Sequence, residues 1–140
     1  MRNELTLLFR DSYESIFSGL KDRYGFTMKM DEENLITLDG LYCQIVIGVF
    51  DSHQLNLTTK IRYKDDPRFL GLGLIASYLN INIDLGCEDI KTSEEMLSTM
   101  KKHSQAIPIL CNGVIIGNGK EWEAMKSYAD QKYKQSRTIW

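Results

Sequence analysis

Two glycine-containing segments have residue types and spacing that are typical of nucleotide-binding loops. Residues 71–76 fit the pattern G-x-G-x-x-A, with Glu88 or Asp89 downstream. In dinucleotide-binding proteins such glycines form the turn between a strand and a helix, so that a pyrophosphate meets the helix N-terminus. Here Asp66-Pro67 is a helix-start signal, which places the glycines inside a helix that has already begun. We therefore expect the glycines to serve packing, and a nucleotide- or small-ligand-binding domain that uses this helix is the alternative.

The second segment, residues 113–120, ends in Gly-Lys as a P-loop does. Its spacing differs from that of a P-loop, and Glu121 stands where a Mg²⁺-binding serine or threonine is required. The Asn-Gly pairs at 112–113 and 118–119 are typical of turns. The sequence therefore predicts no bound cofactor.

Side chains suited to nucleophilic or metal chemistry are few. The chain has three cysteines, Cys43, Cys87 and Cys111, and two histidines, His53 and His103. They form no CxxC pair and no spacing of metal ligands, and a single sequence cannot place a thiol beside an imidazole. We therefore predict no catalytic site, no metal site and no enzymatic activity. Reduced, mostly buried cysteines are typical of a cytosolic protein.

Polar side chains that alternate with apolar ones offer a binding surface instead. From Leu55 to Tyr63 every second residue is apolar or threonine, which predicts a strand with one buried and one solvated face. We expect a partner protein to bind this solvated face and the acidic residues near it. The candidate partner-binding residues are Gln54, Asn56, Lys60, Arg62, Asp65, Asp66, Glu88 and Asp89.

These residues require a sheet to position them. The nearly continuous apolar run at residues 41–50 predicts a central strand that is covered on both faces. Further strands are predicted over residues 26–30, 35–38 and 55–63, and the short turns between them permit only antiparallel neighbours. An apolar stripe over residues 4–24 predicts a helix that packs across one face of this meander.

The second half of the chain reads as mainly helical. Helices are predicted from Asp66 to Leu79, from the capping box of Thr92 to residue 104, and from Lys120 onward. Between the last two, residues 107–111 and 114–116 predict a β-hairpin. The predicted fold class is therefore α+β: an antiparallel four-stranded meander packed by an N-terminal helix, with a helical C-terminal half that carries an extra hairpin.

Length and composition set broad limits. With 140 residues, 43% of them hydrophobic and 26% charged, we expect one soluble domain over residues 1–140. The formal net charge of −2 argues against a general nucleic-acid binder. No apolar segment reaches the roughly 20 residues that span a bilayer, so we expect no membrane partner and a cytoplasmic location.

The segment from Ile107 to Tyr128 resembles the end of a glutaredoxin-like domain. A strand after a proline, an Asn-Gly turn, a second strand ending in Ile-Gly and a helix follow one another in that order. The resemblance implies the hairpin and a cis Ile107-Pro108 bond. The redox cysteine motif of that family is missing, so thiol chemistry is not expected.

A second resemblance covers residues 5–80. A first helix ending in Tyr24-Gly25-Phe26, a four-stranded meander and a helix after Asp-Asp-Pro resemble the layout of small bacterial immunity proteins of contact-dependent inhibition and polymorphic toxin systems. This resemblance implies tight binding to one cognate protein toxin and neutralisation of it. A basic, nuclease-type toxin would favour the acidic candidates. An adaptor or chaperone-like protein that forms a homodimer through its sheet edge or first helix is a further alternative.

Overall fold

The computed structural model describes the backbone of residues 2–138 and the side chains of residues 3–134. The described chain contains four helices and five strands. In chain order they are α1 (Arg2–Tyr24), β1 (Thr27–Met30), β2 (Leu35–Asp39), β3 (Cys43–Asp51), β4 (Leu55–Tyr63), β5 (Leu70–Gly71), α2 (Leu72–Leu79), α3 (Ser93–Ile115) and α4 (Gly119–Thr138). The α+β class and the N-terminal helix agree with the prediction; the helix ends at Tyr24 as predicted and begins two residues earlier, at Arg2.

The five strands form one antiparallel sheet in chain order, from β1 to β5. β3 lies in the middle and pairs with β4 along its whole length, from Cys43 opposite Tyr63 to Asp51 opposite Leu55. β5 pairs with β4 over only two residues, opposite Lys60 and Ile61. The predicted meander is therefore confirmed with a fifth strand added, and that strand is too short to leave a periodic signal in the sequence.

One face of the sheet packs against the helices. Ile45 and Ile47 of β3 are fully buried there, together with Phe9 and Phe17 of α1. α3 lies beside α1, and the Ser104 hydroxyl donates a hydrogen bond to a carbonyl of that helix. All buried apolar side chains of the described residues belong to one continuous core.

The prediction that β3 is covered on both faces is wrong. Of its residues that point away from the helices, only Gly48 is buried, beneath its neighbours' side chains; Gln44 and Val46 are half-buried, and Phe50 is 48% exposed. Apolar, β-branched residues stand on both faces of this strand, yet only one face has helices to cover it. The apolar run therefore correctly indicates apolar residues on both faces of the strand, but it does not indicate a second layer of helices.

The helix predicted from Asp66-Pro67 begins later in the structure. Gly71 is the N-cap residue of α2 and lies outside the helix, whereas Gly73 lies in its first turn, so the prediction holds for Gly73 alone. The Asp66 carboxylate does bond the backbone N–H of Arg68 at 2.9 Å, as an N-cap would, but the chain continues into β5. Pairing with β4 thus overrides the local helix-start signal.

The predicted hairpin is also wrong, because its residues lie inside α3. Ile107, Leu110, Cys111 and Val114 are buried on one side of that helix, at the i, i+3, i+4, i+7 spacing of a helical stripe. Pro108 lies within the helix, and the described chain contains no cis peptide bond. The glutaredoxin-like layout and its cis bond therefore do not apply.

The remaining helix boundaries follow from local chemistry. The predicted capping box is present at the start of α3, where Thr92 and Glu95 bond each other's backbone N–H groups. α3 ends before Gly117, which has φ +101°, a conformation that favours glycine. The Asn118 side chain then accepts a hydrogen bond from Glu121 N at 3.1 Å as α4 begins. The predicted last helix is confirmed to within one residue.

Candidate functional site

The strand residues that point away from the helices form a surface that we call the open face. Each of its side chains is half-buried or exposed. They are Thr27, Lys29, Leu35, Thr37, Asp39, Gln44, Val46, Phe50, Asn56, Thr58, Lys60 and Arg62. The open face spans four neighbouring strands of one sheet, so its backbone is held rigidly by the strand pairing.

The centre of the open face is apolar. A shallow groove of about 170 Å³ runs between Leu35, Val46, Phe50 and Phe69. Gly48 lies under these side chains, and a Cβ atom at that position would come within 2.4 Å of Leu35 Cδ2. The missing side chain lets its neighbours close over the strand, which makes the apolar patch continuous.

The border of the open face is mainly basic. It carries the cations Lys29, Lys60 and Arg62 against the single acid Asp39. The Arg62 guanidinium donates to Gln44 Oε1 at 2.9 Å and lies 5.2 Å from the centre of the Phe69 ring. The guanidinium is therefore fixed beside the apolar groove. The geometry suits a partner surface that combines apolar groups with carboxylates.

A separate cleft of about 590 Å³ lies at the end of the sheet where β5 stops. One wall is the edge of β4 from Gln54 to Thr59, and the opposite wall is the loop at residues 83–88. The start of α2 forms a third side. The cleft thus lies between the three elements that meet beside the short fifth strand.

A buried polar pair lies at the bottom of the cleft. Thr59 Oγ1 and His103 Nδ1 are 2.7 Å apart, and these residues are only 3% and 5% exposed. Burial lowers the pKa of His103 to about 4, although a hydrogen bond from the ring to the Leu85 carbonyl opposes this in part. The imidazole is therefore neutral near pH 7, and with its one N–H donated to Leu85 its Nδ1 accepts a hydrogen bond from the Thr59 hydroxyl.

Polar side chains on one side of α3 hold the loop that forms the cleft wall. Thr99 Oγ1 accepts a hydrogen bond from Cys87 N at 3.1 Å, and Lys102 forms a 2.7 Å salt bridge with Asp84. Gly86 has φ +89°, and a Cβ there would lie 2.6 Å from Thr99 Oγ1. The loop therefore packs directly on α3. Thr59, Thr99 and His103, the buried polar side chains in the described part of the chain, all lie at or beside this cleft.

The edge of β4 presents backbone groups to the cleft. Pairing with β5 stops at Lys60, and at the other end of the strand the Leu55 carbonyl accepts a bond from Ile90 N at 2.8 Å. Backbone polar groups in a strand alternate in direction, so those of Leu57 point the same way as the Leu55 carbonyl. The Leu57 N–H and C=O thus face the cleft between these two paired positions.

The charges around the cleft disfavour a phosphate group. Gly71 and Gly73 line the cleft at the start of α2, where helix N–H groups would favour an anion. However, the acidic residues in the lining are Asp84 and Glu88, and none of the lining residues in the described chain is a lysine or arginine. These carboxylates would repel the phosphates of a nucleotide.

The three cysteines are free thiols with little nucleophilic character. Burial raises the pKa of Cys43 to about 12 and also raises that of Cys111. Cys87 Sγ lies 3.2 Å from Glu95 Oε2 and 3.0 Å from the Asp89 carbonyl, two acceptors for its one proton, and the Glu95 carboxylate is the main reason that the pKa of Cys87 is raised. All three thiols are therefore protonated at neutral pH.

The structure divides the predicted partner-binding residues between several places. Asn56, Lys60 and Arg62 lie on the open face, and Asn56 also lines the cleft together with Gln54 and Glu88.

The other three predicted residues lie elsewhere. Asp65 is exposed in the turn after β4, and Asp89 lies 3.6 Å from Lys91 Nζ. The Asp66 carboxylate is bound inside the protein, to the Trp122 indole at 2.8 Å and to the Lys126 ammonium at 2.6 Å. Asp66 is therefore held by the fold itself.

The sequence did not point to the residues at the bottom of the cleft. Thr59 and His103 are 44 positions apart, and a buried histidine has no pattern of its own. A partial signal was present in α3, where Glu95, Thr99, Lys102 and His103 recur at helical spacing among apolar residues. That pattern predicts a polar strip on a buried helix but not what packs against it.

The described residues contain neither a membrane-spanning helix nor a cluster of metal ligands. None of the helices within residues 2–138 combines the length and apolar character needed to cross a bilayer. No group of three or more His, Cys, Asp or Glu side chains in the same part of the chain is arranged to hold a metal ion.

Comparison with known proteins adds no relative: no protein-family model, no curated protein and no solved structure matches this chain.

Proposed function

We propose that this protein binds another protein through the open face, and that the partner is a cognate bacterial toxin domain which it neutralises. One observation carries the proposal: the helices cover one face of the sheet, while the other face leaves an apolar groove with a basic border accessible. Apolar side chains grouped on an accessible surface mark interaction sites in soluble proteins. The toxin class comes from the resemblance of the layout to immunity proteins.

The chemistry of the open face supports a protein as the ligand. Protein interfaces combine a desolvated apolar centre with a polar rim, and arginine and aromatic residues are enriched in them. Val46, Phe50 and Phe69 supply the apolar centre, and Lys60 and Arg62 stand at its edge. A groove of about 170 Å³ is too small to enclose a typical small-molecule ligand, for which pockets are about 300 Å³ or larger.

The charge of the open face sets the expected chemistry of the partner. Three cations and one acid favour a docking surface with carboxylates. We therefore propose that an acidic and apolar surface of the toxin docks here. In this arrangement the acidic candidates Asp65, Glu88 and Asp89 lie outside the main contact.

The proposed mechanism requires no chemistry by this protein. β3 is paired on both sides, so the open face is already in its binding conformation before the partner arrives. The bound protein would then exclude the substrate from the toxin, by covering its active site or its substrate-binding surface. An effective inhibitor of this kind needs tight binding and slow dissociation.

Co-expression with the product of the open reading frame next to this gene, which the proposal expects to be the toxin, tests the proposal. We expect the tagged protein to purify in a complex with that product and to relieve the growth arrest which the product causes when expressed alone. A complex without protection would place the protein among adaptors. If the two proteins form no complex and growth is not restored, the proposal is contradicted. A mass of two chains by light scattering would favour the homodimer alternative.

A further inference from the structure

We propose that the cleft beside β5 binds an extended peptide segment that carries a basic side chain, with the segment pairing as an added strand along the edge of β4. This site adjoins the groove of the open face along β4, where Thr58 lines both, but its edge and loop walls are its own. The proposal does not depend on whether the partner at the open face is a toxin.

The backbone at the edge of β4 is suited to strand addition. The Leu57 N–H and C=O face the cleft, between a carbonyl that is bonded by Ile90 and the pairing of Lys60 with β5. Among the described residues, no hydrogen bond from outside the sheet reaches the backbone of Leu57. Unpaired edge groups of this kind form hydrogen bonds with an extended peptide in β-augmentation.

The length of this edge sets the size of the segment. From Leu55 to Thr59 a strand rises about 14 Å, at about 3.4 Å per residue. A peptide of three to five residues would extend beside it. The cleft of about 590 Å³ has the volume for such a segment, and neither Gly71 nor Gly73 places a side chain in it.

The charge of the cleft determines which side chain fits. Glu88 is exposed on the rim and forms no salt bridge among the described residues, and Asp84 stands on the same wall. Asp84 is paired with Lys102, so Glu88 is the carboxylate that remains for a ligand. Since no cation lines the cleft in the described chain, a lysine or arginine of the peptide would complete the pairing.

The wall opposite β4 is prepared for binding. Hydrogen bonds from Cys87 N to Thr99 and from Gly86 N to Asp84 fix the loop, as does the Lys102 salt bridge. Because this wall is already ordered, less conformational entropy is lost when a peptide binds. At the bottom of the cleft, the Thr59–His103 pair satisfies its own polar atoms and leaves the wall and edge groups to contact the peptide.

The test uses two acetylated and amidated pentapeptides, Val-Thr-Lys-Thr-Val and Val-Thr-Glu-Thr-Val, titrated into ¹⁵N-labelled protein. We expect the lysine peptide to shift the amide resonance of Leu57 and those of residues 83–88, with a dissociation constant of roughly 1 mM or below. The glutamate peptide should bind at least about tenfold more weakly because Glu88 repels it.

Three controls separate this binding from general attraction between charges. Glu88→Lys should reverse the preference between the two peptides, while Glu32→Lys, a matched change at an exposed acid outside the cleft, should leave it unchanged. A lysine peptide whose central backbone nitrogen is methylated should lose binding because it cannot pair with the strand edge. Lys60→Glu on the open face should leave peptide binding intact, which separates this test from that of the proposed function.

Any of three results would overturn the inference. They are the absence of resonance shifts up to about 10 mM peptide, shifts that map away from the cleft, and unchanged binding of the methylated peptide.

Discussion

At the scale of single residues, Asp66 is a predicted partner-binding residue whose carboxylate instead stabilises the fold. Its carboxylate accepts hydrogen bonds from the Trp122 indole, the Lys126 ammonium and the Arg68 backbone N–H. These bonds, that from Lys126 first, lower the pKa of Asp66 to about 2. Because the folded protein holds this carboxylate more acidic than the unfolded chain does, its stabilising effect is complete above about pH 4 and is lost as the pH falls toward 2.

We predict that Asp66→Asn lowers the free energy of unfolding by about 2 kcal/mol at pH 7, since the bond to a charged partner is lost and an amide donor faces two other donors. The matched change Asp65→Asn alters an exposed residue with φ 68°, a conformation that asparagine tolerates. It should change stability by less than about 0.5 kcal/mol. Urea unfolding of both variants measures the difference, and equal stabilities would contradict the structural role of Asp66.

Because His103 is buried and neutral, we expect a second dependence of stability on pH. Its pKa falls from 6.5 to about 4 on folding, so the unfolded chain takes up the proton first as the pH falls. The contribution of His103 to the free energy of unfolding is therefore complete above pH 6.5, and it decreases by about 3 kcal/mol between pH 6.5 and 4.

His103→Gln removes the titrating group, so we expect its stability to change less across this interval than that of the wild type. His53→Gln alters the exposed histidine and should leave the wild-type pH dependence in place. Chemical unfolding measured at several pH values gives both curves. Parallel curves for the wild type and His103→Gln would contradict the low pKa.

At the scale of elements, α3 shows where local patterns mislead. Its second half contains Ile107-Pro108-Ile109 and an Asn-Gly pair, which favour strands and a turn in isolation. The same residues bury Leu110 and Val114 against the core at helical spacing. Burial of that stripe outweighs the local propensities. Both the helical stripe and the strand and turn propensities are visible in the sequence, but the sequence does not show which of them is stronger.

Pro108 therefore stands in a helix at a cost in stability. It lacks the N–H that would bond the Ser104 carbonyl, and proline inside a helix is about 3 kcal/mol less favourable than alanine. We expect Pro108→Ala to raise the free energy of unfolding by about 1 to 3 kcal/mol. The control Gln105→Ala, at an exposed site of the same helix, should change stability by less than about 0.5 kcal/mol. A destabilised Pro108→Ala variant in urea unfolding would contradict this expectation.

The strands show the opposite case, in which the sequence is a reliable guide. The alternation in β4 predicts both its length and its two faces, with Ile61 buried and Lys60 exposed. Short polar turns likewise predict the order of β1 to β4. β5 is missed because a two-residue strand exists only through its pairing with β4.

At the scale of the whole molecule, the helices gather on one side of the sheet and leave the other side open. The sequence supplied Asn56, Lys60 and Arg62 of this open face, since alternation identifies a solvated face. The apolar groove could not be predicted, because Val46 and Phe50 are indistinguishable from core residues until it is known that helices cover only one face of the sheet. The cleft was beyond prediction for a similar reason: its walls come from three separate segments of the chain.

Binding affinity for the proposed toxin partner is the measurement that tests the open face most directly. Lys60→Glu reverses a charge at the border of the groove, and Lys101→Glu makes the same change at an exposed site on α3, in the helical layer. By isothermal titration we expect Lys60→Glu to raise Kd by about tenfold or more and Lys101→Glu to leave it unchanged. Equal affinities for the wild type and Lys60→Glu, or a loss confined to Lys101→Glu, would contradict the account.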